Sequence, residues 1–174
     1  MELIRSTLIA EFSDFNDISE FIVVMIRLFM AALLGGLLGL ERELSGKPAG
    51  IRTHMLVCMG AALFVLIPEQ TGISDAEMSR VIQGVISGIG FLCAGSIIVR
   101  KNELYATGLT TAAGLWFTAA IGVAVGLGRE QTAFVCALLA WVVLYVVPFF
   151  SRAITGKKPV RPASNGVDPD RKAD

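Results

Sequence analysis

The sequence predicts an all-α fold, a polytopic transmembrane helical bundle with about five spans. Three observations predict it. Of 174 residues, 54% are hydrophobic and 17% charged, where a soluble chain carries about a quarter charged residues. The apolar residues gather in five long runs, most of them near the ~20 residues that cross a bilayer as a helix. The segments between and flanking the runs hold every charged residue except Arg27. Formal net charge is zero, so no bulk attraction to nucleic acid is expected.

Residues 1–19 form an N-terminal segment. Leu3, Ile4, Leu8, Phe12 and Phe15 recur there at helical spacing, which predicts a short interfacial helix. Glu2, Glu11, Asp14, Asp17 and Glu20 crowd this end without a basic stretch before an apolar core, so it does not read as a signal peptide. Residues 20–150 form the membrane domain. Its first span is predicted over 21–40, with Asp17-Ile-Ser-Glu20 resembling a capping box ahead of it. The second covers 53–67. Fifteen residues rise only about 23 Å, less than the ~30 Å hydrocarbon core. Either Arg52 and His54 extend this helix, or it sits where the membrane is thin or shielded by protein. The third span covers 81–99, after a second capping-box pattern at Ser74-Asp-Ala-Glu77. The fourth covers 108–127 and the fifth 131–150. Residues 151–174 hold Pro159, Pro162, Pro169, Gly156 and Gly166 among scattered charges, a composition that predicts a disordered cytoplasmic tail.

Lysine and arginine placement sets the expected orientation. One side collects Arg42, Lys47, Arg52, Arg100, Lys101 and six basic residues of the tail; the other collects Arg5, Arg80 and Arg129. The N-terminus is therefore expected outside and the C-terminus in the cytoplasm. The loop between the first two spans is then cytoplasmic.

Helices in lipid associate through small residues. The fourth span places Thr111, Gly114, Thr118, Gly122 and Gly126 within about 120° of arc. The third carries Gly84, Gly88 and Gly95 on a face that Phe91 interrupts, and the first carries Gly35 and Gly39 four apart. Close helix contact is expected at all of them, with a polar path widened by glycines as the other reading. Cys58, Cys93 and Cys136 lie apart inside apolar runs and read as small buried hydrophobes.

Arg27 sits about 9 Å inside the first span. It either snorkels to the outer interface or faces the bundle interior. It shares a helix face with Glu41, about 21 Å away along the axis, so the two mark the ends of a potential polar track. Residues 41–54 are the densest run of charge. Glu41 and Glu43 lie at a helix C-terminal end, where the dipole disfavours anions; Arg52 and His54 lie at a helix N-terminal end, where it disfavours cations. Two readings remain open. The glutamates pair with Arg52 across the turn and pin the hairpin. Alternatively Arg52, Thr53 and His54 with the free N–H groups hold a phosphate or lipid head group, and Glu41 and Glu43, on either side of Arg42, hold a cation. Ser96, Thr110 and Thr111 are expected to bond back to their own helices. His54 has no second histidine or nearby cysteine in sequence with which to form a metal site. No nucleophile–base set or phosphate loop is present, so neither catalysis nor a cofactor is expected.

The run Arg27-Leu-Phe-Met-Ala-Ala-Leu-Leu-Gly-Gly-Leu-Leu-Gly-Leu-Glu-Arg-Glu43, then Lys47-Pro-Ala-Gly-Ile-Arg-Thr-His54, resembles the signature of the MgtC/SapB family. Gly88-Ile-Gly-Phe-Leu-Cys-Ala-Gly95 and Gly108-Leu-Thr-Thr-Ala-Ala-Gly-Leu-Trp116 continue the resemblance in the same order. The resemblance implies a bacterial inner-membrane protein of about five spans, in a family associated with magnesium limitation, acid stress and survival inside host cells. Its members are often named magnesium transporters, yet the better-studied ones look like regulators of other membrane proteins. Three positions depart from the pattern: Cys93 replaces a usual glycine, Thr107 a common arginine and Thr110 an asparagine of some members. The C-terminal soluble domain of longer members is absent, so the chain looks like the short, membrane-only type. The expected partners are the lipid bilayer and other membrane proteins or further copies of the chain, with Mg2+ added in the transporter reading.

Overall fold

A computed structural model describes residues 1–11, 17–97 and 107–155. It contains six helices: α1 (Glu2–Glu11), α2 (Ile18–Leu44), α3 (Ile51–Gln70), α4 (Asp75–Gly95), α5 (Leu109–Gly126) and α6 (Glu130–Thr155). The last five are long and apolar enough to cross a membrane, and together they form an all-α polytopic bundle. The expected N-terminal helix is present as α1, and residues 1–7 within that segment are exposed. The tail predicted over 151–174 is corrected at its start, where residues 151–155 continue α6; its remainder lies outside the described residues, as do Arg100 and Lys101.

The helix boundaries move where capping chemistry decides them. Ser74 and Glu77 form the expected reciprocal box: the Glu77 amide donates to Ser74 Oγ at 3.4 Å and the Ser74 amide to Glu77 Oε2 at 3.0 Å. The box expected at Asp17 does not form. Asp17 caps α2 with backbone only, because its carboxylate accepts the Ser19 hydroxyl at 2.7 Å instead. The same bond holds the Asp17 carboxyl below its usual range. The second span is not short. Arg52 and His54 belong to α3, whose 20 residues rise about 30 Å, enough for the hydrocarbon core.

Helix α5 is the centre of the bundle and touches α2, α3, α4 and α6. Its buried face runs Thr111, Gly114, Leu115, Thr118, Ile121, Gly122 and Val125, the predicted small-residue stripe. The core combines Ala31, Leu34 and Leu38 of α2 with Cys58 and Ala62 of α3, Ile121 and Val125 of α5, and Ala133 and Ala137 of α6. Helix α3 is held between two glycine faces. A Cβ on Gly35 would lie 2.6 Å from the His54 carbonyl oxygen, and one on Gly39 2.6 Å from Ile51 Cα. From the other side, Gly126 approaches the Ala62 carbonyl oxygen to 2.5 Å by the same measure, and Gly122 seats against the Cys58 carbonyl.

The expectation for α4 is corrected. Gly84, Gly88 and Gly95 are exposed, and added Cβ atoms would meet nothing within 4 Å. Helix α4 leans on α3 and α5 through Cys93, whose thiol donates to the Ala112 carbonyl at 3.1 Å, and through Ile89. Gly84 and Gly88 instead line an open apolar groove of about 540 Å³ against Leu56, Gly60 and Phe64 of α3.

Candidate functional site

The polar groups of the bundle gather at its two ends. At the hairpin end, α2 continues one turn beyond its predicted stop and takes Glu41, Arg42 and Glu43 with it. Gly46, at φ +65°, then closes the helix. Its amide donates to the Glu43 carbonyl, and the Lys47 amide to the Arg42 carbonyl at 2.9 Å, a Schellman arrangement. This turn buries Glu41 to 6% and Arg42 to 3% exposure. Arg42 Nε donates to Glu41 Oε2, and the Ser45 hydroxyl donates to Glu41 Oε1 at 2.8 Å.

Glu43 resolves the electrostatic conflict read from the sequence. Its Oε2 accepts from the Ile51 amide at 2.9 Å. The carboxylate thus leaves the unfavourable C-terminus of its own helix and occupies the favourable N-terminus of the next. A Cβ on Gly50 would fall 2.5 Å from Glu43 Oε2, so a larger residue there would have to push this carboxylate aside. The expected pairing of Glu41 or Glu43 with Arg52 is therefore corrected. Arg52 is exposed, and no ion pair to it exists among the described residues. The cause is helical phase: two residues turn the helix by about 200°, so with His54 facing inward Arg52 faces out.

His54 is fully buried. Its Nδ1 lies 2.8 Å from Thr118 Oγ1 of α5, and Gly114 leaves room for the ring, with Cε1 3.7 Å from where its Cβ would stand. Thr111 is buried two turns before Thr118 on the same α5 face, Thr53 is half-buried and Thr110 is exposed. Ser96 bonds back to the Cys93 carbonyl at 2.7 Å as expected. No group of three or more metal-ligating side chains exists among the described residues.

At the opposite end Arg27 neither snorkels freely nor opens a track toward Glu41. Its Nη1 donates to Glu69 Oε2 and to the Gly126 carbonyl, each at 3.0 Å, and Nε lies 3.7 Å from Glu130 Oε1. One guanidinium thus joins α2 to the ends of α3 and α5 and the start of α6. Gly128, at φ +69°, makes way for it: a Cβ would stand 2.5 Å from Nη2. Between Arg27 and Glu41 the buried face of α2 is Ala31, Leu34, Gly35 and Leu38, so the face expected to carry a polar track is apolar.

Sequence reasoning missed Glu69, Glu130 and Gly128, and it read Thr118 as packing alone. The available signal was that Arg27 needs an acid at its own depth, and Glu69 and Glu130 close apolar runs at that end.

All but Arg27 of the residues that build the two ends fall within one homologous region. The sequence model of the MgtC family matches residues 28–153. The chain belongs to the MgtC family. It is 40% identical over 136 residues to the protein named putative magnesium transporter YhiD of Escherichia coli K12, covering 74% of this chain and 60% of that one. It is 44% identical over 116 residues to protein SrpB of Synechococcus elongatus, covering 60% and 64%. To protein MgtC of Salmonella typhimurium LT2 it is 40% identical over 115 residues, covering 66% and 48%. Each alignment spans less than two thirds of the relative's length. No solved structure matches.

In this MgtC-family chain Arg27→Lys should lower stability by about 1 kcal/mol, because one ammonium cannot reproduce the guanidinium's spread contacts. Both carboxylates are about two-fifths exposed, so solvent screening keeps the loss small. Unfolding of the two proteins side by side in mixed micelles measures it, and identical curves would remove Arg27 as a structural tie.

Proposed function

We propose that the protein is a non-enzymatic inner-membrane protein acting in magnesium and acid-stress homeostasis through contacts with other membrane proteins. The observation that carries this reading is the distribution of polar groups. The carboxylates and guanidiniums form two clusters at opposite ends of the bundle, and between them α2, α3 and α5 are close-packed, with the uncharged hydroxyls of Thr111 and Thr118 among otherwise apolar α5 residues. Every Asp and Glu among the described residues lies within about one turn of a helix end. A dication crossing the middle would meet no carboxylate, at high desolvation cost. Support for lateral contact comes from α4, whose glycine face stands open and suits close approach by another helix.

The rival reading is an ion carrier, and it draws on the name putative magnesium transporter borne by YhiD. Proteoliposomes loaded with a magnesium-sensitive dye separate the two. The proposal expects uptake equal to that of empty vesicles. A photo-cross-linker in place of Phe91, beside the open face, is then expected to give one discrete adduct in cells. Protein-dependent magnesium flux would overturn the proposal in favour of the carrier.

The orientation proposed with it places the hairpin loop in the cytoplasm, following the lysine and arginine bias. A Ser45→Cys variant should then react with impermeant thiol reagents only from the cytoplasmic face.

A further inference from the structure

His54 is the single histidine of the chain. The Thr118 hydroxyl beside its Nδ1 already donates to the Gly114 carbonyl at 2.8 Å. A hydroxyl carries one proton, so toward His54 it accepts, and Nδ1 donates. The neutral ring is thereby held in its Nδ1–H tautomer, with a bare lone pair on Nε2. That nitrogen is buried and has no hydrogen-bond partner among the described residues. Buried polar atoms in this condition are rare and call for a reason.

The elements packed on the ring are α2 and α5. Helix α2 brings Gly35 and Gly39 against the His54 backbone and Cβ, and the charges of Arg42 and Glu41 both act on the ring. Helix α5 brings Thr118 and Gly114, neither of which ionises in the accessible range. On α3 itself, Cys58 is the ionisable neighbour one turn further along the same face. The Glu41 carboxylate accepts from Arg42 and Ser45, and no hydrogen bond joins it to the ring among the described residues.

We infer that His54 is a proton-binding site that couples the seating of α2 on α3 to pH. A proton from water adds to the Nε2 lone pair, forming one N–H bond and breaking no other in the protein. The step turns an acceptor into a donor and the ring into a cation. The closed junction holds Arg42 near the ring and gives Nε2 no hydrogen-bond partner among the described residues, whereas a separated junction admits water. Proton uptake and separation of α2, α3 and α5 at this point therefore occur together.

The test uses the full chain in lipid nanodiscs, labelled with 15N-histidine and carrying no polyhistidine tag, so that one residue gives every ring signal. Near neutral pH the ring is expected as the Nδ1–H tautomer, and the amides of residues 51–58 should exchange slowly. As pH falls toward about 5, the doubly protonated ring should appear. In step with it, amide exchange corrected for its intrinsic rate should accelerate about tenfold per pH unit, the slope of one coupled proton. A His54→Gln variant should lose that slope. Should it fail to fold, Thr118→Val takes its place: without the hydroxyl the neutral ring should populate both tautomers. The inference is overturned by an Nε2–H tautomer at neutral pH, by a ring that stays neutral with flat exchange, or by protonation without faster exchange. An unchanged slope in His54→Gln, or a single unaltered tautomer in Thr118→Val, also overturns it. None of these outcomes touches the reading of the protein as a contact partner.

Discussion

Replacing Glu41 with alanine should destabilise the bundle by about 3 kcal/mol, the cost of stranding a buried charge by removing its partner. Arg42 is 3% exposed, and its Nε donates to the carboxylate that the substitution deletes. The lower end of the range applies because the pair lies in the last turn of α2, near the loop. The double variant Glu41→Ala, Arg42→Leu discriminates the cause. With both charges gone nothing is left unpaired, and stability should recover most of the loss. A double-mutant cycle read by unfolding in mixed micelles measures the coupling. If the double variant is as unstable as the single one, the pair is not what Glu41 contributes.

That pair shows how far the sequence could be read. Its composition and apolar runs gave the five spans, since those need only one-dimensional information. The conflict between loop charges and helix dipoles correctly marked residues 41–54 as a place where charges had to be satisfied. The partners were another matter. Arg42, Ser45 and the Ile51 amide take the glutamates, and Arg52 does not, because a shift of two residues reverses the direction a helical side chain faces. Arg27 was harder still. Its partner Glu69 lies 42 residues away, and Glu130 is reached only through the packing of α6 on α2. Local capping was legible where a single acceptor competed, at Ser74, and not at Asp17, where Ser19 offered the carboxylate a nearer donor.

The glycines divide in the same way, and they carry the second large expected effect. The sequence marks a small-residue face on α4 as plainly as on α2 and α5, but a small face states only that a neighbour has room to approach. On α2 and α5 the neighbour is α3 backbone, which cannot swing aside. Alanine at Gly35 would place Cβ 2.6 Å from the His54 carbonyl oxygen and 2.8 Å from Cys58 Cβ; at Gly126 it would meet the Ala62 carbonyl oxygen at 2.5 Å. Each change should cost about 1–3 kcal/mol, the usual penalty of overpacking, despite the gain in helix propensity. Alanine at Gly84 or Gly88 meets nothing within 4 Å. Those variants should be as stable as the parent, or more stable by up to about 1 kcal/mol, since glycine within a helix is replaced by a better helix former. Equal losses at all four positions would mean that α4 packs as tightly as α2 and α5. The contrast also frees the α4 face for a functional test. A bulkier Gly88→Leu narrows the groove beside Leu56 and Phe64, and its Cβ meets nothing within 4 Å. Under the contact-partner reading, it should abolish the cross-link adduct at position 91 while leaving the unfolding curve in place. Gly35→Ala should do the reverse, lowering stability while sparing the α4 face that a partner would meet.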